Sequence, residues 1–277
     1  MNCLTSDFIT CRMIGRLGNQ MFQIAHGYSQ ALTHRKQFVA PKFEVPVAPY
    51  VDNIFKNIDF LIDNTDNILN SENVYAPFHF SEVLPVKDKI TIFHGYYQSE
   101  KYFLNNKNTI IDLFSPSQEF INKCFKAYPE LASNNVTAIN VRRGDYLTQP
   151  ENHPVITKEF IYDALERIPN KEFIYVVSDD IPWCKDNIKT DKITFVEYKE
   201  LDALWLLSLC KNFVISNSTF SWWGAYLSKL PGKVVVSPDT WFGPGVHGRG
   251  YYEHDIYVDG WIKVPTYWDN GEIKLKA

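Results

Sequence analysis

The chain has 277 residues, 45% hydrophobic and 22% charged, enough to bury one large core or two of medium size. A formal net charge of −4 excludes global attraction to nucleic acid or an anionic membrane, so any anionic ligand must be held by local arginines. The five cysteines, Cys3, Cys11, Cys124, Cys184 and Cys210, form no C-x-x-C pair, which points away from zinc sites and disulfide frameworks and toward reduced thiols. No stretch approaches the roughly 20 apolar residues of a membrane span, and the first residues carry no basic-then-apolar leader pattern. The expectation is a cytoplasmic protein without a transmembrane segment, its peripheral attachment to a membrane left open.

Residues 8–14 read as a first strand, followed by the turn Gly15-Arg-Leu-Gly-Asn19. A helix then places Met21, Ala25, Tyr28 and Leu32 on one stripe, with Asn19 at the N-cap position. A strand, glycine turn and helix in that order favour a phosphate. The spacing matches neither G-x-G-x-x-G nor G-x-x-x-x-G-K-[ST], so a plain tight turn explains it equally well. Residues 38–40 form a second strand, and 44–88, rich in Pro and Asn, read as loops and short helices. A strand at 90–93 leads into the aromatic and polar run 94–103, either a pocket lining or a structural corner. A helix over 118–128 and the polar stretch 132–135 set a boundary between domains 1–133 and 134–277.

The second half is regular. Strands at 136–141, 173–177, 193–196, 213–216 and 234–236 alternate with helices at 158–168, 202–210 and from about 218. That alternation implies βαβ units and a doubly wound parallel sheet. Three strand ends carry polar groups: Arg142 to Asp145, Ser178 to Asp180, and Ser216 to Thr219. In a parallel sheet all three face the crevice where open α/β sheets bind ligands. Arg142 and Arg143 suit a diphosphate, because each guanidinium donates parallel hydrogen bonds to phosphate oxygens. A salt-bridged surface pair accounts for the same arginines. Ser218 and Thr219 open a helix, where hydroxyls either cap it or meet a pyrophosphate. Asp179 and Asp180 either form a surface turn or accept a hydrogen bond from a base or ribose.

Taken together, these segments resemble glycosyltransferase family 11, the inverting α-1,2-fucosyltransferases. The resemblance rests on five ordered motifs: Gly15-Arg-Leu-Gly-Asn-Gln-Met-Phe22, Gly95-Tyr-Tyr-Gln-Ser-Glu-Lys-Tyr-Phe103, Val141-Arg-Arg-Gly-Asp-Tyr146, Ser178-Asp-Asp-Ile-Pro-Trp-Cys184 and Ser216-Asn-Ser-Thr-Phe-Ser-Trp-Trp-Gly-Ala225. One position departs, since Asn140 stands where the family usually carries histidine. An amide can still donate and accept a hydrogen bond there.

The resemblance implies an α/β, GT-B-like fold, two Rossmann-like domains facing a cleft, with GDP-β-L-fucose held mainly by the C-terminal one. It implies that Arg142 takes the β-phosphate, that Asp179 and Asn140 lie by the guanosine, and that Ser218, Thr219 and Phe220 line the diphosphate. Arg143 joins the donor-binding set, and Arg16, Gly18 and Asn19 reach the donor from the N-terminal domain. The 95–103 segment falls on the acceptor side, toward a galactose-terminated glycan. No cofactor is implied beyond this co-substrate. No D-x-D motif is present, so no metal is expected, and Arg142 with the helix start at Ser218 would meet the charge growing on the phosphate. Asp145, Glu151 and His153 are the acid–base candidates, and Asp145 beside two arginines is better placed to orient Arg142 than to act as a base. The alternatives are a GDP-fucose transferase of other linkage, α-1,6 or protein O-linked, and a glycan-binding protein suggested only by the 15% aromatic content.

Overall fold

A computed structural model describes residues 7–41, 50–61, 68, 71–82, 86, 89–197 and 199–276. Cys3 and parts of the 44–88 stretch lie outside these residues. The chain divides into two compact units: Met1–Phe114 with His254–Val258, and Ser115–Glu253 with Asp259–Ala277. Among the described residues, no helix is long and apolar enough to cross a membrane.

The first unit contains β1 (Phe8–Cys11), α1 (Leu17–His34), β2 (Gln37–Pro41), β3 (Asp59–Leu61), β4 (Ser71–Tyr75), β5 (Ile90–His94) and α2 (Lys107–Phe114). Its strands are parallel in the order β3-β2-β1-β5-β4. The order reverses between β1 and β5, the kind of switch point beyond whose carboxyl ends open α/β sheets bind ligands. β1 is buried along its whole length, as a strand covered on both faces must be. It stops at Cys11, three residues short of the expected end. β4 escaped the sequence because Ser71, Glu72 and Asn73 give an edge strand no apolar signal.

The first helix starts earlier than expected, at Leu17 with Arg16 as its cap residue. The Arg16 carbonyl accepts from Asn19 N at 2.9 Å and from Gln20 N at 3.1 Å, which puts Asn19 in the first turn and not at the cap. Met21 and Ala25 are buried as expected, but Leu32 is 42% exposed and Ala31 takes the inner position of that turn. On the same helix, His26 is fully buried. Its ring stacks on Tyr97 at 3.9 Å, with Phe93 and Tyr102 edge-on at 4.5 and 5.0 Å.

The second unit contains α3 (Gln118–Ala127), β6 (Val136–Val141), β7 (Val155–Ile156), α4 (Lys158–Glu166), β8 (Phe173–Ser178), α5 (Ile181–Asn187), β9 (Ile193–Phe195), α6 (Glu200–Ser208), β10 (Asn212–Ile215), α7 (Thr219–Tyr226), β11 (Val235–Pro238), α8 (Pro244–His247), β12 (Ile262–Val264), β13 (Thr266–Asp269) and β14 (Glu272–Leu275). The main sheet is parallel in the order β12-β11-β10-β6-β8-β9, the doubly wound order of a Rossmann sheet, reversing between β6 and β10. β6 lies at its centre with all six residues buried. A second small sheet, β13-β14-β7, was not expected. Nor was β12, which follows 234–236 as the sheet's edge.

The units divide at Ser115, ahead of the boundary expected at 133. The reason is packing: Phe120 of α3 meets Trp205 of α6 at 5.2 Å, and Tyr175 of β8 donates to Glu130 at 2.9 Å.

Burial lowers the pKa of His26 to about 3, so the folded unit holds a neutral ring. An unfolded histidine titrates near 6.5, so the folded-state stability is fully present above that pH and falls as the pH drops toward 3. The expected slope from this one group is about 1.4 kcal/mol per pH unit. His26→Phe keeps an aromatic stack without the proton. Urea titrations at several pH values from about 6 to 4 should show a shallower loss in the variant by close to one proton; parallel losses would refute the assignment.

Candidate active site

Three neighbouring strands of the second unit, β10, β6 and β8, end together. Arg142, Arg143 and Gly144 leave β6, and Asp145 begins a short 3-10 turn through Thr148. The Arg142 guanidinium is gripped by two carboxylates. Its Nη2 donates to Asp145 Oδ1 at 2.6 Å, and its Nη1 forms an ion pair with Asp179 Oδ2 at 2.8 Å. The hydrogen bond to Asp145 uses one N–H of a group that carries five. The planar fork is fixed in direction while keeping donors for a ligand. The Tyr146 ring lies 5.6 Å from the Arg142 Cζ and completes the cradle.

Arg143 is committed differently. Its Nε donates to Asp180 Oδ2 at 3.0 Å, and its guanidinium covers the Trp183 ring at 4.2 Å. Its backbone N donates to Asp179 Oδ1 at 2.9 Å. Asp180 also caps α5, accepting from Trp183 N at 3.1 Å. The two adjacent arginines therefore differ in their partners: Arg142 is held by Asp145 and Asp179, and Arg143 fixes the β8–α5 turn through Asp180 and Trp183. Asp179 joins both, since one oxygen holds the Arg142 side chain and the other the Arg143 backbone.

Asn140 is buried, 5% exposed, and its amide is spent inside the protein. Nδ2 donates to Val177 O at 3.2 Å, and Oδ1 accepts from the Ser221 hydroxyl. Ser218, Thr219 and Phe220 stand at the start of α7, as expected. Ser218 is the cap residue but its hydroxyl makes no capping bond. It is set against the Tyr146 hydroxyl instead. The first N–H groups of a helix lack intrahelical acceptors, which makes this terminus a place for an anion. α7 is fixed by burial of Trp222 and Trp223 and by Gly224, where a Cβ would lie 2.8 Å from Leu207 of α6.

Tyr146 donates to the Asn217 carbonyl at 3.1 Å, and burial pushes its phenol up to about 12. It stays protonated at neutral pH. His153 stacks on Tyr146 at 4.8 Å, and burial lowers its pKa, so its ring is neutral there too. Glu151 is exposed, and its carbonyl packs against Gly243. Among the described residues, no three His, Cys, Asp or Glu side chains gather as a metal-holding group.

In the first unit, Arg16, Gly18 and Asn19 lie at the carboxyl end of β1. Gly15 takes φ 78, and a Cβ there would meet Asn19 Nδ2 at 2.2 Å. Asn19 Oδ1 accepts from Gln98 Nε2 at 2.9 Å. Gln20 Nε2 donates to Gly15 O at 3.0 Å, and Gln23 pairs with both backbone groups of Ile14 and with Gly95 O. Gln23 and Gln98 thereby link this stretch to the 95–103 motif, while Gln20 holds the turn itself. Their roles were missed because a glutamine carries no sequence signal of its own.

A model of Glycosyl transferase family 11 matches residues 2–265. The Alpha-1,2-colitosyltransferase of Escherichia coli is 28% identical over 278 residues, covering 85% of this chain and 93% of that protein. Galactoside alpha-(1,2)-fucosyltransferase 1 of Homo sapiens is 25% identical over 236 residues, covering 77% of this chain and 64% of that protein. The crystal structure of NodZ alpha-1,6-fucosyltransferase soaked with GDP-fucose superposes with a TM-score of 0.51 at 14% identity, over 80% of this chain and 93% of that one. The GT-B-like α/β fold class expected from the sequence is the fold found.

Gly144 is needed because a Cβ there would sit 2.6 Å from Asp179 Oδ2, an oxygen that Arg142 already holds. Gly144→Ala should therefore displace Asp179 and loosen Arg142. The expected outcome is about tenfold weaker binding of inorganic pyrophosphate by calorimetry, the scale of one charged hydrogen bond, with circular dichroism unchanged. Unaltered affinity would show that Asp179 yields without cost.

Proposed function

The chain belongs to glycosyl transferase family 11, and from that premise we propose that it moves L-fucose from GDP-β-L-fucose to the 2-hydroxyl of a galactose-terminated glycan, with inversion and without a metal. The observation that carries this reading is the Arg142 fork, held by Asp145 and Asp179 at the switch point of the sheet beside the start of α7. The acceptor oxygen bonds to the anomeric carbon as the carbon–oxygen bond to the β-phosphate breaks on the opposite face. That electron pair goes to the phosphate, and the acceptor proton is lost to the surroundings late in the step. Arg142 and the α7 N–H groups meet the charge growing on the phosphate, a preorganised stabilisation that strengthens toward the transition state. Asp145 positions Arg142 and is not the base. Arg16, Gly18 and Asn19 belong to the same proposal as donor-binding residues.

A second reading concerns the donor sugar. The likeness to an Alpha-1,2-colitosyltransferase supports a colitosyl donor in place of the fucosyl one. The likeness to the α-1,6 enzyme supports the fold alone and does not favour its linkage.

The test is mass and linkage analysis of products formed from GDP-fucose and the colitosyl nucleotide with a panel of β-galactosides, run with and without excess EDTA. Fucose on the galactose 2-hydroxyl, formed equally in EDTA, is expected. Preferential use of the colitosyl donor would select the second reading, and loss of turnover restored by one cation would end the metal-free mechanism. Arg142→Lys keeps the charge and loses the bidentate fork. Its turnover should fall about 10²-fold or more, the scale of removing one preorganised oxyanion donor, and near-normal turnover would move the phosphate to another group.

A further inference from the structure

We infer that Asn140 is a positioning residue that sets the start of α7, and that it does not read the nucleotide base. This rests on the reading above of α7 and Arg142 as the diphosphate site. Val177 O can only accept, so the Asn140 amide must turn Nδ2 toward it at 3.2 Å and leave Oδ1 facing α7. The Ser221 hydroxyl donates to that oxygen. With its one proton committed, Ser221 accepts from Ser216, 2.9 Å away. The result is a directional chain of hydrogen bonds from Ser216, after β10, through Ser221 on α7 and Asn140 on β6, to Val177 on β8. All three side chains are buried, at 0%, 1% and 5% exposure for Ser216, Ser221 and Asn140.

The chain joins the three strand ends that build the site. β6 presents Arg142 two residues after Asn140, β8 presents Asp179 two residues after Val177, and α7 presents its first N–H groups two residues before Ser221. One amide therefore fixes the distance between the guanidinium and the helix terminus. Both of its polar ends are bonded inside the protein, at 5% exposure, which ties the amide to the β8 and α7 partners. A buried bond of this kind loses more when one partner is removed than when both are, since the remaining group is left unsatisfied.

Two readings of Asn140 separate cleanly with inorganic pyrophosphate, which has no base. A base reader would leave pyrophosphate affinity unchanged on truncation, whereas a positioning residue weakens pyrophosphate and GDP by the same factor. The experiment is calorimetry of both ligands with wild type, Asn140→Ala, Ser221→Ala and the double variant. Each single variant should bind both ligands about tenfold more weakly, from the cost of orphaning a buried partner. The double variant should lose less than the product of the two factors. Ser221→Ala removes a single oxygen, so it tests the chain even where Asn140→Ala fails to fold.

Loss of GDP affinity with pyrophosphate affinity intact would overturn the inference, as would strictly multiplicative losses. If wild type bound pyrophosphate but not GDP, the donor assignment would fall, and the pyrophosphate arm would still decide the role of Asn140.

Discussion

The site depends on one guanidinium being held in one direction. Arg142 and Arg143 lie among Asp145, Asp179 and Asp180, two positive charges against three negative ones. Such a cluster does not attract an anion by net charge. It can do so only through N–H groups aimed at short range, which is what the two-carboxylate grip on Arg142 provides. Ion pairs of this kind contribute little to stability when partly exposed, so their value here lies in orientation. A ligand with several oxygens close together, such as a diphosphate ester, gains most from that geometry.

Both units solve the same problem with different chemistry. In the second, the strand ends are tied by carboxylates on arginines and by the buried chain from Ser216 to Val177. In the first, Gln23 and Gln98 tie the start of α1 and the loop before it to the loop after β5, while Gln20 closes the turn at Gly15. Each unit thus holds the switch point of its own sheet with side-chain amides or charges, because loops at a sheet edge have no ladder to fix them. Glycines at 15 and 144 permit the close approaches that these ties require.

Much of the second unit was legible because β-branched runs alternating with helical periods have few other solutions. The convergence of Arg142, Asp179 and Ser218 followed from parallel strands alone. What escaped had physical reasons. β4 is a polar edge, and β7 is two residues long. The β13–β14 hairpin did leave a trace, since Asn270 and Gly271 take φ 47 and 85 in the Asn-Gly turn that favours a hairpin. The separate fates of Arg142 and Arg143 could not be read, because neighbouring residues after a strand diverge according to partners distant in sequence. The bonds of Asn140 to Val177 and Ser221 could not be read either, because sequence does not reveal the partners of a polar side chain on a central strand.

On the proposed function, Arg142 receives the leaving phosphate while Asp145 and Asp179 keep hold of it. A crystal structure of the chain with GDP tests it most directly. In that complex β-phosphate oxygens should accept hydrogen bonds from the Arg142 guanidinium and the first N–H groups of α7, with both carboxylate pairs retained and Arg143 still on Trp183. A β-phosphate bound away from Arg142, or an Arg142 released from both carboxylates in the complex, would contradict it.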